Sequence, residues 1–193
     1  MKIERLTIAF GIAVLATTAA QAHTGIGSTS AFSAGLMHPL SGIDHLLAMV
    51  AVGLWAGMHG GKALWLWPAS FVGSMIVGGA LGMAGLPVPF VEQGIQGSLV
   101  VLGLLVALSA RPNLAIGCAL IALAGFFHGH AHGAEAPADA AGLDYAAGFV
   151  LSTGVLHAAG VGLTALATRF TATMLVRIAG AATAIVGLGL AFA

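Results

Sequence analysis

Two short stretches concentrate side chains able to bind a metal ion: His38-Pro39-Leu40-Ser41-Gly42-Ile43-Asp44-His45, and Phe127-His128-Gly129-His130-Ala131-His132-Gly133-Ala134-Glu135. The first lies inside a long apolar run. An Asp at the centre of a spanning helix costs roughly 2.5 to 3.5 kcal/mol on insertion scales, so such groups face a bundle interior and serve an ion or proton path. Pro39 fits a first helical position and pushes His38 out of the α region, while Gly42 adds freedom. The expectation is a break or helix start that turns His38 inward, followed by a helix bearing Asp44 and His45. Asp44 then either binds the cation or accepts a hydrogen bond from a ligating imidazole and fixes its tautomer. The bland alternative is an Asp-His pair that only staples helices.

In the second stretch, a helix running through would put His128, His132 and Glu135 on one face by their spacing of four and three. Imidazole with carboxylate suits nickel, cobalt, zinc or copper. A solvated metal scavenger is the competing account. No HExxH pattern occurs, which argues against a metal-dependent hydrolase, and the expectation is that the chain is not an enzyme. Glu92, beside Gln93 and Gln96 at the start of an apolar segment, is either an interfacial helix charge or a third side of the site. His130 completes the second stretch. His157 stands in the middle of a segment, as ligand, relay or satisfied core histidine, and His59 stands beside Gly60-Gly61-Lys62, for ion release or as an interface marker.

The elements that must position these groups follow from hydropathy. Lys2 and Arg5, the apolar run after them and Ala20-Gln21-Ala22 read as a secretory signal peptide over 1–22. Cleavage there makes His23 the mature terminus, whose amino group and imidazole form a two-nitrogen chelate. Residues 23–193 form a single transmembrane domain, all-α, with six apolar segments near 32–58, 63–86, 90–110, 113–128, 145–167 and 171–192. Glycine-proline and charged breaks separate them. With the mature N-terminus outside, Lys62, Arg111, Arg169 and Arg177 fall on the cytoplasmic side, as the positive-inside rule requires. Glu135, Asp144 and the second histidine stretch then face outward. Pairs such as Gly53/Gly57, Gly78/Gly82 and Gly180/Ala184 predict close helix approach. Trp55, Trp65 and Trp67 read as an aromatic belt at the inner boundary.

Composition agrees with this frame. Of 193 residues, 59% are hydrophobic and 6% charged, with a formal net charge of zero, which fits a bilayer rather than water and excludes a nucleic-acid footprint. Eight histidines outnumber the six acids and the six bases, the one excess that points to chemistry. Cys118 has no partner thiol, so any metal is held by nitrogen and oxygen. No Walker A motif is present, so transport would be downhill, proton-coupled or partner-driven.

The stretches HPLSGIDHLLAMVAVGLWAG and FHGHAHGAE, with the signal-like N-terminus and six following segments, resemble the HupE/UreJ family of hydrogenase and urease accessory membrane proteins. The resemblance covers essentially the whole mature chain. It implies nickel uptake across the cytoplasmic membrane for nickel-enzyme maturation, with Ni2+ as the transported ion and Co2+ or another divalent transition metal as the close competitor. It implies further that His38, Asp44, His45, His128, His132 and Glu135 belong to the metal path, and that His130 falls at a variable position. Glu92 and His23 join the candidate ligands from the residue reading alone. Expected partners are the ion, the lipid bilayer and hydrogenase or urease maturation machinery. The alternative is a membrane-bound metal chaperone or sensor that binds without translocating.

Overall fold

The computed structural model describes residues 30–136 and 141–193; the signal-peptide reading and His23 lie outside the described residues. Seven helices account for nearly all of them: α1 (Ala31–Ser41), α2 (Ile43–His59), α3 (Ala63–Met83), α4 (Val91–Ala107), α5 (Leu114–Glu135), α6 (Ala141–Arg169) and α7 (Thr173–Ala191). No strand occurs among the described residues. Four helices, α3, α5, α6 and α7, are each long and apolar enough to cross a bilayer, and the pair α1 and α2 passes the same test jointly. At 17 residues α4 is shorter, about 25 Å long at 1.5 Å per residue.

Gly42 breaks the first apolar segment. Its extended backbone (φ −100°, ψ 121°) separates α1 from α2, whose axes differ by 83°. The break therefore falls three residues later than the Pro39 start expected from sequence, and Pro39 ends up buried in the last turn of α1. Proline there has no N–H to give the Gly35 carbonyl one turn earlier, which weakens the last turn of α1 just before the break at Gly42. Ser41 Oγ donates to the His38 carbonyl (2.6 Å), covering one acceptor that the interrupted helix would otherwise expose. A second departure concerns α5, which continues past His128 to Glu135 instead of giving way to a polar connection.

α2 is the central post. From Ala48 to Ala56 almost every residue is buried, and the helix packs against α3, α4, α6 and α7. A helix that is apolar on all sides belongs in an interior. Around it the strongest pairings are α3 with α5, α4 with α7, and α1 and α2 with α6. Small residues make these approaches possible. A Cβ on Gly78 would lie 2.2 Å from the Phe126 carbonyl oxygen, and one on Gly129 would lie 2.0 Å from that of Met75. Gly53 meets the His157 carbonyl and Gly180 meets α4 in the same manner, as their four-residue spacings predict.

Trp55 and Trp67 correct the aromatic-belt expectation. Both are fully buried, their rings 4.2 Å apart, with indole N–H groups donating to the Ala110 (2.8 Å) and Leu114 (3.2 Å) carbonyls. They seal one end of the core, because a buried indole must find an acceptor and the Ala110 and Leu114 carbonyls, where α4 gives way to α5, supply one each. Trp65 alone of the three faces outward, at 79% exposure. The bundle's outer surface carries many exposed Leu, Ile, Val and Phe side chains, as a surface that meets lipid tails requires.

Candidate metal centre

Three elements bring the two histidine stretches together. α1 delivers His38 at its last turn, α2 delivers Asp44 and His45 at its first, and α5 presents His128, His132 and Glu135 along one face. Their spacing of one turn each makes the α5 ligands a ladder. The close α3–α5 packing through glycines holds that ladder beside α3, and ring contacts to His38 and His45 join it to the two sides of the bend at Gly42.

His38 Nε2 lies 3.3 Å from Glu135 Oε2, and His132 Nδ1 lies 3.7 Å from the same oxygen. Ligand atoms of His38, His132 and Glu135 all fall within 4.8 Å of one another, close enough for one ion to draw them in. From there imidazoles follow in sequence: His38 to His132 at 4.7 Å between ring centroids, His132 to His45 at 4.1 Å, His45 to His128 at 4.9 Å. Side-chain exposure drops from 61% at Glu135 and 31% at His38 to 5% at His132 and 13% at His45, and the His128 residue has none.

The hydrogen bonds determine which nitrogens are left for a cation. His45 Nδ1 sits 2.6 Å from Asp44 Oδ1, which also accepts the His45 backbone N–H at 2.8 Å. A carboxylate only accepts, so Nδ1 carries the proton and Nε2 keeps its lone pair. That Nε2 is buried with no hydrogen-bond partner. Ser98 repeats the device on α4. Its hydroxyl donates to the Ile95 carbonyl at 2.6 Å, so at 3.0 Å from His128 Nε2 its oxygen accepts the imidazole proton. His128 Nδ1 is then the basic nitrogen, again buried and without a partner, as is His132 Nε2, while His132 Nδ1 has only Glu135 Oε2 at 3.7 Å. Buried polar atoms are ordinarily paired, so a file of unpaired imidazole nitrogens calls for a ligand.

Other expected residues lie elsewhere. His130 Nε2 is 2.8 Å from the Leu86 carbonyl and ties the loop after α3 to α5. Glu92 is exposed in the first turn of α4, outside the group formed by His38, His132 and Glu135. His59 Nε2 reaches the Pro112 carbonyl at 3.1 Å, at the opposite end of α2 from Asp44. His157 is buried on α6 with neither nitrogen partnered, so it is not a satisfied core histidine. Sequence reasoning missed Ser98, and it missed Tyr145 and Phe149, whose rings lie 5.7 and 6.1 Å from His38. Tyr145 is the chain's only tyrosine, a hint that went unused. Ser98, in an ordinary run of small and apolar residues, gave none.

Fold and site together define a bundle of apolar helices of membrane-crossing length, with a histidine and carboxylate cluster sunk between them at one end. Residues 11–190 match the family described as HupE / UreJ protein. Protein HupE of Rhizobium leguminosarum bv. viciae is 40% identical over 190 residues, an alignment that takes in 98% of each chain. No solved structure matches. The chain belongs to the HupE/UreJ family.

Proposed function

We propose that the protein is a secondary permease that takes up a divalent transition-metal ion, nickel first among them, across the cytoplasmic membrane for hydrogenase or urease maturation. The observation that carries this reading is the file of unpartnered imidazole nitrogens that begins at the exposed Glu135 and ends at the fully buried His128. A structural metal site closes one full ligand set around its ion. A series of imidazoles, each able to take over part of a hydration shell and pass the ion on, suits passage, which demands sites that bind without gripping. Nickel and cobalt share these ligand preferences.

The crossings are six, with the bent pair α1 and α2 counted as one and α3, α4, α5, α6 and α7 each adding another, after a signal peptide over 1–22. Lys62, Arg111 and Arg169 belong to the end of the bundle away from Glu135, where Arg111 Nη2 donates to the Met58 carbonyl at 3.0 Å and Arg177 Nε to the Ala107 carbonyl at 2.8 Å. A basic cytoplasmic face opposite a ligand-lined periplasmic mouth supports import.

Purified protein in liposomes tests the reading with a panel of divalent ions. Nickel entry without any partner protein, lost in His38→Ala and Glu135→Gln, is the expected result. Binding without entry would defeat the permease and favour a membrane-bound chaperone or sensor.

A further inference from the structure

Below His128 the polar file does not end. The Phe71 ring lies 5.7 Å from His128 on one side and 5.1 Å from His157 on the other. In the same buried core as that ring four donor-bearing side chains gather: Met49 of α2, Met75 of α3, and Thr153 and His157 of α6, none more than 3% exposed. Met49 is one turn inward from His45 on α2, and Thr153 and His157 continue the α6 face that starts with Tyr145 and Phe149 at intervals of four.

Two features of this group call for explanation. Thr168 and Thr183 bond back to the carbonyl one turn earlier in their own helices, the ordinary habit of a helical threonine. Thr153 instead turns its hydroxyl to two thioethers, at 3.4 Å from Met49 Sδ and 3.7 Å from Met75 Sδ. One proton cannot serve both, and thioether sulfur is a weak acceptor. His157 carries the second: an imidazole is fully enclosed with both nitrogens unpartnered, although a partner-free polar group in such a place is costly. Packing alone would be served better by Leu and Val. Thioethers, a hydroxyl oxygen and an imidazole together are a neutral ligand set for a soft or borderline transition-metal ion. An apolar pocket between α3, α5 and α6 has both His132 and Met75 in its wall, so the upper and lower groups border common space.

We infer that Met49, Met75, Thr153 and His157 form an inner ion station, softer than the histidine and carboxylate cluster, with Phe71 between His128 and His157. The inference rests on the permease reading for its direction of traffic, but the station's ligand chemistry is separable from transport. A softer site lower in the path also makes a prediction about poison: a monovalent d10 ion such as Ag+, which favours thioethers, lodges there.

The experiment uses full-length, selenomethionine-labelled protein carrying Cys118→Ser, so that no thiolate competes for silver. X-ray absorption of the Ag+-loaded protein is expected to show silver–selenium scattering, absent when Met49→Leu and Met75→Leu are added; these swaps conserve volume, so the bundle is retained. In liposomes Ag+ is expected to block nickel entry through the Cys118→Ser protein. The double leucine variant should admit nickel more slowly, escape the silver block, and keep nickel binding at the His38–Glu135 cluster unchanged. Silver–selenium scattering that persists in the double variant, or that is missing from the Cys118→Ser parent, overturns the station. If the parent admits no nickel at all, the permease reading falls while the absorption result still decides the station.

Discussion

Gly129 sits between His128 and His130 on α5, and replacing it by Ala separates helix spacing from ligand chemistry. A Cβ there would stand 2.0 Å from the Met75 carbonyl oxygen and 2.7 Å from that residue's Cα, both backbone atoms that cannot swing aside. Real Cβ atoms keep at least 3.0 Å, so the α3 and α5 axes must part by about 1 Å at this level. Overpacking of this kind costs roughly 1 to 3 kcal/mol. Because α5 carries His128 and His132 while their neighbours His38 and His45 sit on α1 and α2, the shift also pulls the imidazole file apart. Misplacement by about 1 Å can cost on the order of a hundredfold in function, and Gly129→Ala should lower nickel uptake on that scale while melting earlier in detergent. The control lies in the same interface: a Cβ on Gly79 would be 3.4 Å from the Gly129 carbonyl, an ordinary contact. Gly79→Ala should melt and transport like the parent. Equal melting temperatures and equal uptake for the two variants would refute the claim that backbone approach at Gly129 positions the ligands.

Asp44→Asn leaves a hydrogen-bonding group beside His45 but removes the carboxylate that fixes its tautomer, and nickel affinity by calorimetry should drop about 10 to 100-fold. His38→Ala and Glu135→Gln each take a ligand from the group that closes within 4.8 Å, so their effects on affinity should be less than additive in a double-mutant cycle. Trp55→Phe deletes the indole bond to the Ala110 carbonyl and should cost about 1 to 3 kcal/mol of stability, read by thermal unfolding, with nickel binding unaltered.

How much of this could be read from the sequence depends on what each feature obeys. His128, His132 and Glu135 were legible because helical spacing alone aligns them. The convergence of α1 with α5 was legible only in outline, since His38 and Asp44 announced an inward-facing break while the chain had two candidates for it. Pro39 looked like the helix start, yet it lies in the last turn of α1, where its missing N–H weakens the helix, and the extended φ and ψ at Gly42 took the bend. Trp55 and Trp67 were misplaced because an indole in an apolar segment has two stable homes, and only tertiary structure reveals the Ala110 and Leu114 carbonyls that kept them inside. Ser98, Met49, Met75 and Thr153 stayed hidden for a different reason: each is unremarkable in its own helix and acquires meaning from a residue tens of positions away.

The short α1 has a bearing on how the chain is built. At 11 residues it reaches about 16 Å, too little to be held by hydrophobicity alone, and its main support is α6, where Gly35 and Gly148 let the two backbones touch near the Tyr145 and Phe32 carbonyls. That seat is synthesised more than a hundred residues after α1 itself. The cluster around His38 can therefore close only late in biogenesis, and truncated or stalled chains would carry α2 while leaving that cluster unassembled.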